Sequence, residues 1–271
     1  MKTNYTLFGN AKDELLKIPD KSIQMCITSP PYYGLRSYSD SEHEIGKEDH
    51  PDEYIINMLL VFMQVHRVLK DDGICFINLG DSYYNYRPGK NSYKKQSSYD
   101  KDQDLPKKSS KRSNILEGYK EKDLMLIPSQ VAHHLREWGW YLRQDIIWKK
   151  TRCMPESVKD RFNKTYEHIF MFSKSQSYKF NTEIRNEFLR DVWEIAPASF
   201  KGSHFAVFPD KIPEICIKAG SDKGDIILDP FIGTGTTASV AEKLGRKWIG
   251  IELNKEYEKF IKERTSQLQL F

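Results

Sequence analysis

The stretch Ile27-Thr28-Ser29-Pro30-Pro31-Tyr32 puts a hydroxyl, two rigid residues and an aromatic ring where a short apolar strand, Gln24 to Thr28, should end. The Ser29 hydroxyl can accept and donate hydrogen bonds. Pro30 and Pro31 fix φ and carry no N–H, so the Pro30 carbonyl is held rigidly with no backbone donor beside it. Tyr32 adds a flat face for stacking. Taken alone, the pattern is equally a proline-terminated strand with a surface tyrosine.

A second constellation is DIILDPFIGTGTTASVAEKLGRKWIGIEL, which reads strand, glycine loop, helix, strand. Gly233-x-Gly235-x-x-Ala238 lets a ligand approach the backbone at a helix N-terminus. Glu252, 19 residues beyond Gly233, ends the next strand, where a carboxylate can accept both hydroxyls of a ribose. The chemistry indicated is nucleoside binding. The spacing does not say which nucleoside cofactor.

The elements that must position these residues alternate between strand and helix, so the expected fold is α/β with a largely parallel sheet. Expected strands are Tyr5–Phe8, Gln24–Thr28, Ile74–Leu79, Leu142–Trp148, Glu167–Phe172, Asp225–Leu228 and Lys247–Ile251. Pro51 should open a helix carrying Ile55, Leu59, Phe62, Val65 and Leu69 at helical spacing, stopped by Asp71-Asp72-Gly73. Other helices are expected over Ala11–Lys17, Pro128–Trp138 and Asp210–Ala219, between the glycine loop and Gly245, and at the C-terminal end. Residues 173–203 read as irregular. Residues 84–123 lack either periodicity and read as a flexible insertion in a single domain. Trp138, Trp140 and Trp148 are expected in the core.

The whole chain of 271 residues carries only four more positive than negative charges. The surplus is local: residues 85–123 hold eleven basic and six acidic side chains. The four cysteines form no CxxC pair and the histidines no HExxH spacing, so no metal site is expected and the thiols should be reduced, as in a cytoplasmic protein. The richest apolar run, Ile55 to Val65, is too short to span a bilayer.

Together, TSPPY and DPFIGTGTT resemble the motifs of amino-group DNA methyltransferases that use S-adenosyl-L-methionine, in the motif order of the β group. RVLKDDGICFINLGDSY, LRQDIIWKK, MPESVKDRFNKTYEHIFMFSKS and HFAVFPDKI are similar to further segments of that family, so the likeness covers almost the whole chain. It implies a Rossmann-like, seven-stranded, circularly permuted methyltransferase sheet in which the first and last elements are neighbours. It also implies that Asp229, Phe231, Gly233 and Gly235 line the cofactor, with Thr28, Thr236 and Thr237 nearby. Glu252 should hold the ribose, Asn10 should lie near the adenine, and His204, Phe205 and Ala206 should pack on the methionine end.

The same resemblance gives the Ser-Pro-Pro-Tyr stretch a catalytic task. The lone pair of an exocyclic amine is delocalised into the base, so the amine is a poor nucleophile. Two acceptors, Ser29 Oγ and the Pro30 carbonyl, would favour a pyramidal nitrogen and stabilise the charge that develops on it. Tyr32 would stack on a base swung out of the duplex. Serine at the first motif position implies N4 of cytosine, with N6 of adenine as the alternative. Double-stranded DNA is the implied partner, with a cognate restriction endonuclease as a possible second one. Arg36 and the insertion residues Lys94, Lys95, Lys107, Lys108, Lys111 and Arg112 are candidates for DNA contact. The target-reading region is expected near 173–203. Asp81 could bind substrate or cap the following turn.

Overall fold

The computed structural model describes residues 1–34, 44–84, 116–153, 156, 158–198 and 208–266. Eight strands form one sheet: β1 (Tyr5–Phe8), β2 (Ile23–Thr28), β3 (Leu69–Leu79), β4 (Tyr141–Lys150), β5 (Tyr166–Ser173), β6 (Val192–Ile195), β7 (Ile226–Asp229) and β8 (Lys247–Glu252). Their order is β1-β8-β7-β2-β3-β5-β4-β6. All pairings are parallel except those of β5, which runs antiparallel to β3 and β4. The expected α/β methyltransferase sheet is present with its permutation: β1 pairs with β8, Tyr5 opposite Ile249. The strand beyond the expected seven is β6, an edge strand in the segment read as irregular. Its alternation of exposed Val192 and Glu194 with buried Trp193 and Ile195 is the mark of a half-buried edge. A short helix, Glu183–Glu187, also interrupts that segment.

The helices lie on both faces. On one side α1 (Ala11–Leu15), α2 (Pro51–Val68) and α3 (Ile127–Trp138) bury Leu15, Tyr54, Phe62, Val131 and Leu135 against β2 and β3. On the other, α5 (Lys211–Gly220), α6 (Thr236–Lys243) and α7 (Glu258–Ser266) bury Ile212, Ile217, Ala238 and Ile261 against Met25, Ile27 and Ile227. The short helix Glu183–Glu187 is α4 in chain order. Two layers covering a mainly parallel sheet explain why β2 is buried at all six positions.

Two boundaries differ from expectation. Asp71-Asp72-Gly73 does not follow the helix as a separate turn. β3 already begins at Leu69, and the pairing jumps from Ile23↔Leu69 to Met25↔Ile74, so these residues bulge out of the strand. The ends of the insertion belong to the core. Tyr84 N–H donates to the Asp123 carbonyl at 2.9 Å, Leu116 N–H donates to the Tyr84 hydroxyl at 3.0 Å, and Tyr84 and Leu116 are buried. Trp140 and Trp148 are buried as expected, but Trp138 is 39% exposed, its ring edge-on to His66.

Candidate active site

β2 and β7 are neighbours, with Cys26 opposite Leu228. From β7 the chain continues to β8 on one side, and from β2 to β3 on the other. This reversal leaves a crevice at the carboxyl ends of the strands, the usual ligand position in open α/β sheets. A cavity of about 470 Å³ lies there. Ser29, Pro30, Pro31 and Tyr32 line one end. Phe231, Gly233, Thr236 and Glu252 line the other, with Asn10 beside them.

The glycine-loop end is built largely from backbone. Gly233 and Gly235 adopt φ of 51° and 87°, the left-handed region in which a side chain is strained. Gly235 also begins α6, and a Cβ there would come 3.1 Å from the Ile261 Cα. Glu252, at the tip of β8, accepts from the Gly233 and Asn254 N–H groups, each at 2.9 Å. Burial pushes its carboxyl up to about 7, partly offset by those hydrogen bonds. Asn10 caps α1, its side chain accepting from Lys12 N–H at 2.9 Å.

Thr28, Asp229 and Thr237 do not reach the cavity wall; they form a latch beneath it. Asp229 is 1% exposed and accepts from Thr28 Oγ1 and Thr237 Oγ1, both at 2.6 Å, and from Phe231 N–H at 3.0 Å. Burial raises its carboxyl to about 6, against the pull of the three donors. The latch joins the β2 tip to the start of α6. The two motifs, some 200 residues apart, are therefore held in one geometry.

The serine end is assembled from side chains just beyond the tip of β2 and on β3, β4 and β5. The Tyr32 hydroxyl donates to Glu167 Oε2 at 2.6 Å and lies 3.1 Å from Asn78 Oδ1 and 3.4 Å from Ser29 Oγ. Ser29 Oγ is 3.4 Å from Asn78 Oδ1. Lys150 Nζ pairs with Glu167 Oε1 at 2.5 Å. The Tyr32 ring lies over Gly80, where a Cβ would approach it to 2.7 Å. From α2, the Tyr54 hydroxyl donates to the Pro31 carbonyl at 3.0 Å, and burial drives its ionisation far above the ordinary tyrosine value. Asp81 accepts from Ser82 N–H at 2.8 Å and from Ile127 N–H at 3.1 Å, so it caps the first turn of α3. Lys164 lines the cavity and donates to the Asp81 carbonyl; desolvation lowers its ammonium.

Sequence reasoning missed Tyr54, Asn78, Lys150, Lys164 and Glu167. For two of them a signal was present: Asn78 is a lone amide inside the apolar run Ile74–Leu79, and Glu167 a lone carboxylate opening one. A buried polar residue in such a strand needs a partner. His204, Phe205, Ala206, Arg36, Lys94, Lys95, Lys107, Lys108, Lys111 and Arg112 lie outside the described residues. Among the described residues no group of three His, Cys, Asp or Glu side chains could hold a metal ion, and no helix is long and apolar enough to cross a membrane.

Comparison with known proteins agrees with this geometry. Residues 23–263 match the family model described as DNA methylase. The Type II methyltransferase M.SmaI of Serratia marcescens is 40% identical over 268 residues, covering 95% of this chain and 89% of the relative. M.Cfr9I of Citrobacter freundii, another Type II methyltransferase, is 40% identical over 264 residues, covering 93% and 84%. Among solved structures, the cytosine-N4-specific PvuII DNA methyltransferase superposes with a TM-score of 0.73 at 21% identity, covering 97% of this chain and 86% of that one. M1.HpyAVI in complex with SAM gives 0.61 at 20% identity, covering 96% and 97%. These two likenesses support the fold. The family model and the Type II relatives identify the chain itself: it belongs to the DNA methylase family.

Proposed function

We propose that this DNA methylase transfers a methyl group from S-adenosyl-L-methionine to the exocyclic N4 of cytosine in double-stranded DNA, with the target base swung out of the duplex. The carrying observation is the hydroxyl of Ser29 at the mouth of the β2 tip, in one cavity with the glycine loop and Glu252. The residues present fit the cofactor. Glu252 is a half-buried carboxylate held at the cavity edge by two backbone N–H groups, with acceptor capacity left for ribose hydroxyls. Phe231, Gly233, Thr236 and Asn10 would surround the remainder, together with His204, Phe205 and Ala206. Bound there, the cofactor supplies an electrophilic methyl on a sulfonium.

The protein's part is to bind, orient and accept hydrogen bonds. Ser29 Oγ and the Pro30 carbonyl take the two amine N–H groups, and Tyr32 bounds the base. Removal of a proton follows attack, because a serine hydroxyl is a weak base. No covalent nucleophile is needed: Cys26, the cysteine nearest in sequence, lies in the core with its thiol pushed up by burial. Arg36, Lys94, Lys95, Lys107, Lys108, Lys111 and Arg112 are assigned to DNA contact, which would make binding salt-dependent. The Type II names of the relatives favour a cognate restriction endonuclease as a functional partner. The test is to digest methylated DNA to nucleosides and identify the product by mass. N4-methylcytosine is expected; N6-methyladenine alone would overturn the choice of base.

A further inference from the structure

We infer that Glu167, paired with Lys150, is a positioning residue that turns the Ser29 hydroxyl into a dedicated acceptor for the substrate amine. The inference rests on the proposed methyl transfer at Ser29 and adds the device that sets the direction of its proton.

The argument is a count of donors. Asn78 is fully buried, and its amide orientation is fixed because one end faces two acceptors: Nδ2 lies 3.2 Å from Glu167 Oε2 and 3.1 Å from the His168 carbonyl. Its Oδ1 must therefore face Ser29 and Tyr32. Tyr32 has one hydroxyl proton, and the carboxylate oxygen at 2.6 Å takes it in preference to the amide oxygen at 3.1 Å. The Tyr32 oxygen is then an acceptor toward Ser29. Among the described residues, both groups within reach of Ser29 Oγ, Asn78 Oδ1 and Tyr32 Oη at 3.4 Å each, now present lone pairs. The single Ser29 proton turns toward them, and the serine lone pairs face the cavity.

A free serine would have no such preference and could donate to the acceptor nitrogen beside the amine instead. That alternative would leave one amine N–H without a partner and forfeit the polarisation of the nitrogen. The network excludes it through Glu167, which takes the Tyr32 proton and, together with the His168 carbonyl, fixes Asn78. Lys150 holds the other oxygen of Glu167 at 2.5 Å, while stacking 5.1 Å from the centre of the Trp148 ring. The carboxylate is thereby clamped on both oxygens. Gly80 contributes space, allowing the Tyr32 ring to lie close enough for the Glu167 contact.

The test uses the full-length protein, a DNA duplex carrying its target site and S-adenosyl-L-methionine bearing a labelled methyl. Glu167→Gln keeps shape and volume but leaves one acceptor oxygen where two are needed, so its amide N–H groups face either Lys150 or the Tyr32 and Asn78 donors. The expected result is a 10- to 100-fold fall in kcat with KM for the cofactor and for DNA within twofold, at about the order expected for a lost charge-assisted hydrogen bond. Tyr32→Phe, which opens no cavity, should give a smaller fall of the same kind. The discriminating arm is Ser29→Ala with and without Glu167→Gln under single-turnover conditions. With no hydroxyl left to orient, the second change should cost less than twofold. An equal loss in both backgrounds, or a rise in KM with kcat unchanged, would overturn the inference. Should Ser29→Ala be too slow to time, the split between kcat and KM in the single variants decides. A wild-type protein that transfers no methyl to DNA would instead sink the proposed function.

Discussion

Asn10 apart, the glycine-loop end of the cavity draws on one continuous run, Phe231 to Asn254, in which the backbone N–H groups of Gly233 and Asn254 hold the Glu252 carboxylate. The serine end draws on four strands, and its central contact, Tyr32 to Glu167, spans 135 residues of sequence. Backbone donors at a turn are fixed by φ and ψ, so two glycines and a strand–helix junction suffice to make them. Side-chain acceptors must each be held by another side chain, which is why the serine end needs a buried network and an ion pair behind it. One end can bind a cofactor common to many enzymes with a short motif. The other must impose a geometry on a poor nucleophile, and that takes residues from four neighbouring strands.

The separation of the two ends can be broken most sharply at Ser29. Ser29→Ala should lower kcat by about 10²–10³-fold, the range seen when a polar group that stabilises transition-state charge is removed. Cofactor affinity, measured by calorimetry, should stay within about twofold. An equal loss of cofactor affinity would mean that the two ends are not independent.

The converse experiment is Glu252→Ala, with an expected loss of cofactor affinity of about 10- to 100-fold, corresponding to one charge-assisted hydrogen-bonding group. Turnover at saturating cofactor should be little changed. Because burial lifts this carboxyl to about 7, ribose binding must compete with protonation. Affinity should therefore fall as pH drops through about 7. Glu252→Gln should bind more weakly and flatten that dependence. A pH profile unchanged by the substitution would place the controlling group elsewhere.

Gly80→Ala probes the serine end alone and more gently. Its Cβ would enter to 2.7 Å from the Tyr32 ring, so the ring must move off Glu167. The expected cost is about 1–3 kcal/mol of strain, shared between stability and kcat, with cofactor affinity unchanged. A thermal melt and a turnover assay on the same sample separate the two. Full activity would show that Tyr32 need not touch Glu167.

The same contrast decides what could be read from the sequence. The glycine loop, Glu252 and the Ser-Pro-Pro-Tyr tip were legible because their residues are adjacent or at a fixed offset. The strand-helix alternation gave the class of fold, and the pairing of β1 with β8 followed from the family likeness. Asn78, Lys150 and Glu167 were not legible as a unit: nothing local reveals that β3, β4 and β5 would bring them within hydrogen-bonding distance. β6 was missed because four residues with two buried side chains give too little periodicity to separate a strand from a loop. Asp229 was assigned to the cavity, where its motif position suggested it, although its carboxylate is spent on Thr28, Phe231 and Thr237.

Asp229 offers the smallest and most specific test, because it belongs to the junction between the two ends. Its carboxyl is raised by burial to about 6, well above the value of an aspartate in an unfolded chain, about 3.9. Between those values the folded protein binds more protons than the unfolded one. The sign is therefore the reverse of that for a salt-bridged aspartate: this group's contribution to stability is greatest on the acid side and declines as pH rises from about 4 to about 6. Over pH 5 to 7 the decline should be about 1 kcal/mol, added to the parallel contribution from Glu252. Asp229→Asn keeps an acceptor for Thr28 Oγ1 and the Phe231 N–H, while the Thr237 hydroxyl can rotate to accept from the new amide. The variant should fold, bind cofactor within about threefold of wild type and lose its share of the pH dependence in chemical denaturation. If its stability falls with pH as steeply as that of the wild type, the buried carboxylate is not the charged group that strains the latch. If instead cofactor binding collapses while stability holds, Asp229 acts on the ligand directly, and the line between latch and cavity wall must be redrawn.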